Sequence, residues 1–275
     1  MTNAWANPSQ LGATAAAELV AFLDARGRMP DQAALNRQCI ALLAPVPGEH
    51  ILEIGCGSGA LCLPVAAHVA PRGRVVGLDI APEMLAAAQQ AIDAAYLPDS
   101  AHFVSGAAEA LPFATGTFDA AFAVRLLLHV ADPAPVVAEM RRVLRPGGRL
   151  LVMEWDWETI AVDHPDRALT RRVLHWRCDH HGGNNWSGRQ LRRWLLAAGV
   201  QDVTVTPLVS TVTSAETSLA QSLWRAADVA RDGGAISDAE HAAWLAVLDE
   251  RLAAGQFFAS IGYFVVSGVR AAGDL

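Results

Sequence analysis

Residues 51–60 read ILEIGCGSGA, and this stretch constrains the fold more than any other part of the sequence. An apolar, strand-like run is followed by three glycines at alternate positions, Gly55, Gly57 and Gly59. A buried strand that leads through a glycine turn into a helix brings backbone N–H groups against a nucleotide-like ligand. The stretch alone is ambiguous, because Gly55, Gly57 and Ala60 also satisfy the G-x-G-x-x-G/A pattern of dinucleotide-binding folds.

Strand-like and helix-like segments alternate from about residue 50 onward, which predicts a parallel sheet with helices on both faces. The predicted strands span about 50–54, 74–79, 102–104, 118–124, 149–154, 201–211 and 257–269. The predicted helices span about 11–26, 31–44, 60–69, 81–95, 133–145, 165–178, 187–199, 215–231 and 237–254. Asp132 is predicted to cap the fifth of these helices and Ser187 the seventh.

The sequence has no internal repeat, low-complexity tract or linker, so we predict a single elaborated domain over 1–275. Within it we expect an N-terminal helical cap (1–45) and a ligand-binding core (46–156). The remainder, 157–275, is expected to supply substrate-side helices and the last two strands. Hydrophobic residues make up 52% of the chain, which is enough for a large core.

The charge of the chain favours a small-molecule ligand. A formal net charge of -7 disfavours nucleic acid and anionic membranes, which both reward basic surfaces. All 21 basic residues are arginines, so a phosphate-binding Walker lysine, a lysine Schiff base and a lysine general base are excluded. The four cysteines show no CxxC spacing, and we find neither a leader peptide nor a membrane-spanning run. We therefore expect a reduced, cytoplasmic protein.

Four stretches in order give the sequence a family resemblance: ILEIGCGSGA, GRVVGLDIAPEMLAAA, the pair EALPF and FDAAFAV, and LRPGGRLLVMEWD. Together they cover about 47–156, and they resemble the class I S-adenosylmethionine-dependent methyltransferases of the quinone- and natural-product-modifying branch. The resemblance implies an α/β fold with a Rossmann-like seven-stranded sheet, parallel except for an antiparallel last strand. It also implies flanking helices, a helical cap and S-adenosylmethionine as the cofactor.

The resemblance assigns the methionine and ribose ends of that cofactor. Glu53, two residues before the first glycine, would order the turn and the ligand's ammonium group, while the turn residues from Gly55 through Cys56 and Gly57 to Gly59 would approach the methionine portion. Asp79, twenty residues beyond Gly59 at the end of the second strand, would accept hydrogen bonds from both ribose hydroxyls. The structural alternative is that Asp79 only caps the following helix.

The adenine end departs from the family pattern. Ile80 would pack on the adenine face and Met84 on its far side, although ordinary core packing also accounts for both. Relatives often carry an acid after the glycine at the position where this chain has Ala107, which cannot accept a hydrogen bond from the adenine amino group. The adenine would then be read by backbone groups of the segment Gly106, Ala107 and Ala108, or by the acid that follows it, Glu109.

Two cationic positions follow the fourth strand. Arg125 could pair with the methionyl carboxylate or form a surface ion pair. His129, in the family's L-x-H-V-x-D-P-like position, could be a base near the donor methyl group, or a pocket residue that hydrogen-bonds to backbone.

The acceptor site is expected at the carboxyl ends of the strands. Glu154 ends the predicted fifth strand, and Trp155, Asp156 and Trp157 follow it at the mouth of the ligand crevice. Trp186 adds a further aromatic surface. The alternative for the tryptophans is packing between sheet and cap. His180 and His181, in a polar loop, could supply a base. The histidines of this loop are of a metal-ligand type, but no metal site is predicted.

The sequence thus predicts methyl transfer by in-line displacement to an O, N or C atom of a small aromatic, polyketide-like or terpenoid-like metabolite. Two other hypotheses stay open. One is an NAD(P)-dependent oxidoreductase, which the glycine pattern permits although no Tyr-x-x-x-Lys pair exists. The other is a non-catalytic S-adenosylmethionine-binding regulator. A homodimer through the late helices is a further possibility.

Overall fold

The protein, described by a computed structural model over residues 13–180 and 182–273, is built on one seven-stranded mixed sheet between two hydrophobic clusters. The strands are β1 (His50–Ile54), β2 (Arg74–Asp79), β3 (Ala101–Ser105), β4 (Phe118–Val124), β5 (Leu144–Val162), β6 (Gln201–Val212) and β7 (Ala259–Val269). The helices are α1 (Ala13–Arg28), α2 (Pro30–Leu43), α3 (Cys62–Val69), α4 (Pro82–Ala94), α5 (Pro133–Val143), α6 (Arg167–His180), α7 (Ser187–Ala197), α8 (Ser218–Asp232) and α9 (Asp238–Ala253).

The strand order is β3-β2-β1-β4-β5-β7-β6. β1 pairs in parallel with β2 and β4, and β7 runs antiparallel between β5 and β6. The predicted Rossmann-like sheet with an antiparallel last strand is confirmed. Because β1, β2, β4 and β5 are parallel, their carboxyl ends meet at one edge, which is where ligands bind in such sheets.

α5 shows how local sequence sets an element. Asp132 Oδ1 accepts a hydrogen bond from the backbone N–H of Ala134 at 3.0 Å, and Pro133 takes the first helical position. The apolar face of the helix is buried: Val136, Val137, Met140 and Val143. The predicted cap is confirmed.

Two local predictions were wrong. β5 was predicted over 149–154, but it runs from Leu144 to Val162, because Leu144 pairs with Phe118 of β4 and β7 pairs with β5 up to Asp156 and again at Ala161 and Val162. Pairing with a partner distant in sequence extends a strand beyond what its own residues indicate. Ser187 was predicted to cap α7, but it is the first helical residue and Trp186 occupies the N-cap position.

Two contacts join the N-terminal part of the chain to residues far away in the sequence. Asp31 in α2 accepts hydrogen bonds from the backbone N–H groups of Ser218 and Leu219, at 3.2 and 3.3 Å, and so caps the start of α8. Arg149 forms a bidentate pair with Glu49, both contacts at 2.7 Å.

Among the described residues, no helix is both long enough and apolar enough to cross a bilayer.

Candidate functional site

The turn after β1 requires its glycines. Gly55, Gly57 and Gly59 have φ values of 71°, 51° and 81°, in the left-handed region that favours glycine. A Cβ atom at Gly55 would lie 2.8 Å from Leu126 Cδ1. The backbone N–H groups of Gly55 and of Cys56, whose side chain is buried, donate to the carbonyl of Leu78 at 2.7 and 3.0 Å. The turn is therefore anchored on β2.

Asp79, the last residue of β2, lies beside this turn. Its Oδ2 accepts a hydrogen bond from Gly57 N–H at 2.9 Å, and its Oδ1 accepts one from Ala81 N–H at 3.0 Å. Burial raises the pKa of the Asp79 carboxyl, while these backbone donors partly offset the rise. The carboxylate thus joins the glycine turn to Ala81, the N-cap residue of α4, which has no side-chain cap of its own.

Glu53 lies beneath the turn and is only 3% exposed. Its Oε2 accepts a hydrogen bond from the Cys62 thiol at 2.9 Å. Burial raises the pKa of Glu53 to about 8, with a further rise from the nearby charge of Asp79 and an opposing effect from Arg125. The buried carboxyl is therefore largely protonated at neutral pH.

The expected adenine side contains one exposed apolar residue. Ile80 is 45% exposed next to Asp79, which is unusual for a large aliphatic side chain at the end of a buried strand. Met84 is buried on α4. Gly106 N–H donates to the Asp79 carbonyl at 3.1 Å, which brings the following segment to the same edge. In that segment Ala107 and Ala108 are half-buried and Glu109 is exposed.

Arg125 and His129 flank the same edge after β4. Arg125 adopts φ 56°, and its guanidinium donates to Gln32 Oε1 of α2. His129 ends a 3-10 turn, Leu127–His129. Burial, then the charges of Arg26 and Arg125, lower the pKa of His129 to about 4. The imidazole is therefore neutral at physiological pH.

Glu154 supports the turn that carries His129. It is fully buried, and its Oε1 accepts hydrogen bonds from the backbone N–H groups of Leu127 at 2.6 Å and Leu128 at 3.3 Å. Burial raises the pKa of Glu154 to about 8. The sequence predicted substrate contact for Glu154; the structure gives its carboxyl a backbone-holding position directly below the site.

The three residues after Glu154 differ in their surroundings. Trp155 is half-buried, with the Arg26 guanidinium 5.5 Å from its ring centroid. Asp156 is 1% exposed and is held by two hydrogen bonds from Arg189. Trp157 is also 1% exposed. Of the three predicted substrate contacts, Trp155 is the one that remains partly open beside a cation, while the placement of Asp156 and Trp157 favours structural roles.

The polar loop after α6 packs against the turn of His129. Asn184 N–H donates to the carbonyl of Leu128 at 2.6 Å, and a Cβ atom at Gly183 would lie 2.3 Å from the same oxygen. The backbone of the loop thus approaches the site closely.

Two side chains that the sequence predicted as a base and as a substrate contact, His180 and Trp186, make other contacts in the structure. His180 stacks on Trp176 of its own helix, with centroids 3.7 Å apart, and Trp186 is 40% exposed with the Arg189 guanidinium 5.0 Å from its ring. His181 lies outside the described residues. Among the described residues, no group of three or more histidine, cysteine, aspartate or glutamate side chains could hold a metal ion.

Sequence reasoning missed three residues from the N-terminal helices. Leu23 approaches the turn, since a Cβ at Gly57 would lie 3.2 Å from its Cδ1; Arg26 lies over Trp155; and Gln32 accepts from Arg125. Burial and the charge of Arg125 lower the pKa of Arg26 to about 10. The one usable signal was Gln32, a polar residue on the otherwise largely apolar buried face of α2.

This fold and edge define a class: proteins that hold a nucleoside-type ligand across a glycine turn and a strand-terminal acid. Residues 52–152 match the family model described as "Methyltransferase domain". The matched residues make up a little over a third of the 275-residue chain.

Two curated relatives illustrate the match. An uncharacterized 37.1 kDa protein in transposon TN4556 of Streptomyces fradiae is 38% identical over 221 residues, which cover 80% of this chain and 62% of the relative. A demethylmenaquinone methyltransferase of Symbiobacterium thermophilum is 38% identical over 119 residues, which cover 43% of this chain and 47% of the relative. The chain thus spans 62% of the length of the first relative and about half of the length of the second.

Solved structures share the fold. The [4+2]-cyclase SpnF has a TM-score of 0.56 at 24% identity, over 90% of this chain and 84% of that one. A SAM-dependent methyltransferase from Aquifex aeolicus has a TM-score of 0.51 at 14% identity, over 90% of this chain and 97% of that one. At these identities the likeness concerns the fold alone.

Proposed function

We propose that this protein transfers the methyl group of S-adenosylmethionine to an O, N or C atom of a small, flat metabolite of aromatic, polyketide-like or terpenoid-like character. The observation that carries the proposal is the position of Asp79. Its carboxylate closes β2 beside three left-handed glycines, 2.9 Å from the N–H of the middle one. A pair of carboxylate oxygens at such a place suits the two hydroxyls of a ribose.

Cofactor contacts are assigned around that position. Exposed Ile80 offers an apolar surface to the adenine, and Arg125 offers a guanidinium to the methionyl carboxylate. Glu53, below the turn, faces the ammonium group. Because the side chain of Ala107 has no hydrogen-bond acceptor, backbone groups of residues 106–109 read the adenine amino group. In this proposal 46–156 is the cofactor core, 1–45 a helical cap, and 157–275 the acceptor side.

The acceptor is proposed to bind against Trp155, between the N-terminal helices and the turn of His129. Methyl transfer from a sulfonium is an in-line displacement, so alignment and exclusion of water are the main requirements. Named relatives include methyltransferases acting on menaquinone precursors and an O-methyltransferase from Penicillium expansum, which supports a flat small-molecule acceptor.

Calorimetry with S-adenosylhomocysteine tests the cofactor assignment. We expect micromolar affinity for the wild type and a loss of about 10- to 100-fold for Asp79→Ala, since two charge-assisted hydrogen bonds disappear. Asp99→Ala, an exposed change next to the start of β3 at the opposite end of the strands, is the control and should bind like the wild type. Circular dichroism checks that the variants fold. Equal affinity of Asp79→Ala and wild type would remove the ribose assignment, and preferential binding of NAD would favour the oxidoreductase.

Transfer itself needs a separate measurement, since SpnF shows that this fold also occurs in a protein named for another reaction. Labelled methyl donor is incubated with metabolite extracts, and label in a small-molecule product is the expected result. Cofactor binding without any labelled product would favour the non-catalytic regulator.

His129 is proposed as the proton acceptor for an acidic acceptor group. Its pKa of about 4 in the ligand-free protein makes it a weak base, and an anion placed beside Arg26 and Arg125 would raise that pKa. His129→Ala is expected to lower turnover by about 10²-fold, while S-adenosylhomocysteine affinity changes little. Unchanged turnover on the identified acceptor would show that His129 is not the base.

A further inference from the structure

A second cleft lies on the far side of Trp157, between the last part of β5 and α6. Its volume is about 410 Å³, within the range of small-molecule sites. Trp157, Ile160, Val162 and Leu174 supply an apolar lining. None of these residues belongs to the glycine turn or to the edge where the cofactor is assigned.

The open side of the cleft is basic. Arg167, Arg171 and His175 all line it, and their spacing of four residues places them on one face of α6. Within the described ranges, neither arginine has a carboxylate at ion-pair distance. Glu158 also lines the cleft, but its carboxylate lies 3.0 Å from Arg189. In a chain with a net charge of -7, this is a local excess of positive charge.

The wall of the cleft contains two buried N–H donors. Trp157 and His164 are 1% and 8% exposed, and neither Trp157 Nε1 nor His164 Nε2 has a hydrogen-bond partner among the described residues. Asp166 N–H lies 3.1 Å from His164 Nδ1, and in the tautomer that accepts this hydrogen bond the ring N–H is on Nε2. Buried donors without acceptors are costly, and a ligand oxygen could satisfy them.

The ring of His164 is held in place. It stacks on Trp244, with centroids 5.6 Å apart, and the Trp244 indole N–H donates to Thr170 Oγ1 at 3.0 Å. Thr170 itself lines the cleft. The wall is therefore preorganised, which lowers the cost of ordering it around a ligand.

We propose that this cleft binds an amphipathic organic acid of small-molecule size, with its apolar body against Trp157, Ile160 and Leu174 and its carboxylate between Arg167 and Arg171. The charge of the rim selects an anion, the volume selects a small molecule, and the apolar floor selects one with a hydrocarbon or aromatic body. The proposal uses none of the residues assigned to the methyl donor and does not depend on methyl transfer.

The test uses 2-naphthoate as the probe and the neutral 2-naphthamide as its matched analogue, with binding followed by calorimetry on the full chain. We expect 2-naphthoate to bind at least about tenfold more tightly than the amide. Arg167→Gln combined with Arg171→Gln should weaken 2-naphthoate at least about tenfold. The control combines Arg192→Gln with Arg193→Gln, two exposed arginines of α7, and should leave affinity unchanged.

A second variant fills the cleft without changing charge. Ala161→Trp, at an exposed lining position, should abolish binding while the protein keeps its circular dichroism spectrum. Saturating S-adenosylhomocysteine should leave the affinity for 2-naphthoate unchanged. Equal binding of acid and amide, no binding at millimolar concentration, an unaffected Arg167/Arg171 double variant, or displacement by S-adenosylhomocysteine would each overturn the proposal. Failure of cofactor binding alone would not touch it.

Discussion

At the scale of single residues, Glu53 has the most telling environment. It is fully enclosed, accepts a hydrogen bond from a thiol, and has a pKa raised to about 8. A carboxyl group that stays protonated in the empty site and ionises when a cation arrives couples ligand binding to proton release. The proposed ammonium group of the cofactor is such a cation.

We therefore predict that S-adenosylhomocysteine binding releases protons between pH 6 and pH 8. The ligand lowers the pKa of Glu53, so affinity should rise with pH, by up to about tenfold per pH unit, and level off above the ligand-free value of about 8. Calorimetry in buffers of different ionisation enthalpy measures the released protons. In Glu53→Gln the release should vanish; proton release that persists in this variant would assign it to another group.

At the scale of elements, the 3-10 turn Leu127–His129 depends on one buried side chain from the neighbouring strand. Glu154 Oε1 accepts two backbone N–H groups of this turn, and Asn184 N–H binds the Leu128 carbonyl from the other side. The position of His129 thus depends on β5 and on the loop after α6 as well as on the hydrogen bonds of the turn itself. Such support from surrounding elements is what keeps a functional side chain in place.

This arrangement predicts a pH-dependent stability. The folded protein keeps a proton on Glu154 up to about pH 8, whereas the unfolded chain loses it near 4.5, so stability falls as pH rises through this window. Glu154→Gln retains an acceptor and cannot ionise. In urea unfolding, its stability relative to wild type should increase from pH 5 to pH 8, by on the order of 1 kcal/mol per pH unit. A difference that stays constant over this range would contradict a protonated Glu154.

At the scale of the whole molecule, β7 joins β6 to the rest of the sheet. It pairs along β5 on one side and along β6 on the other, and α7 packs across β5 and β7. The contact is close at Gly188, where a Cβ atom would lie 2.7 Å from the Trp155 carbonyl oxygen and 3.0 Å from Phe264. Glycine is needed there for close approach of backbone to backbone.

Gly188→Ala is expected to destabilise the protein by about 1–3 kcal/mol, because the added methyl group meets a strand backbone that cannot move aside. Gly273→Ala, where no atom lies within 4 Å, is the matched control and should change stability by less than about 0.5 kcal/mol. Equilibrium urea unfolding of both variants provides the comparison. Equal stabilities for the two would mean that the α7 contact is looser than the structure shows.

The sequence by itself determined the sheet and the glycine turn after β1. The glycine turn, the acid that ends β2 and the Asp132 cap are local patterns, since each depends on residues a few positions apart. Alternating segments of the right period then give the sheet, whose strands lie close to their predicted ranges except for the longer β5. The resemblance carried by the same stretches implied S-adenosylmethionine as the cofactor.

The tertiary structure alone decided what surrounds that edge. It extended β5 through pairing with β7, turned Glu154 into a support for the turn of His129, buried Asp156 against Arg189, and brought Arg26 and Gln32 from the N-terminal helices to the site. Such contacts join residues far apart in the chain. Burial and pairing follow from the packed whole, because no local pattern encodes which distant side chain will reach a given carboxylate.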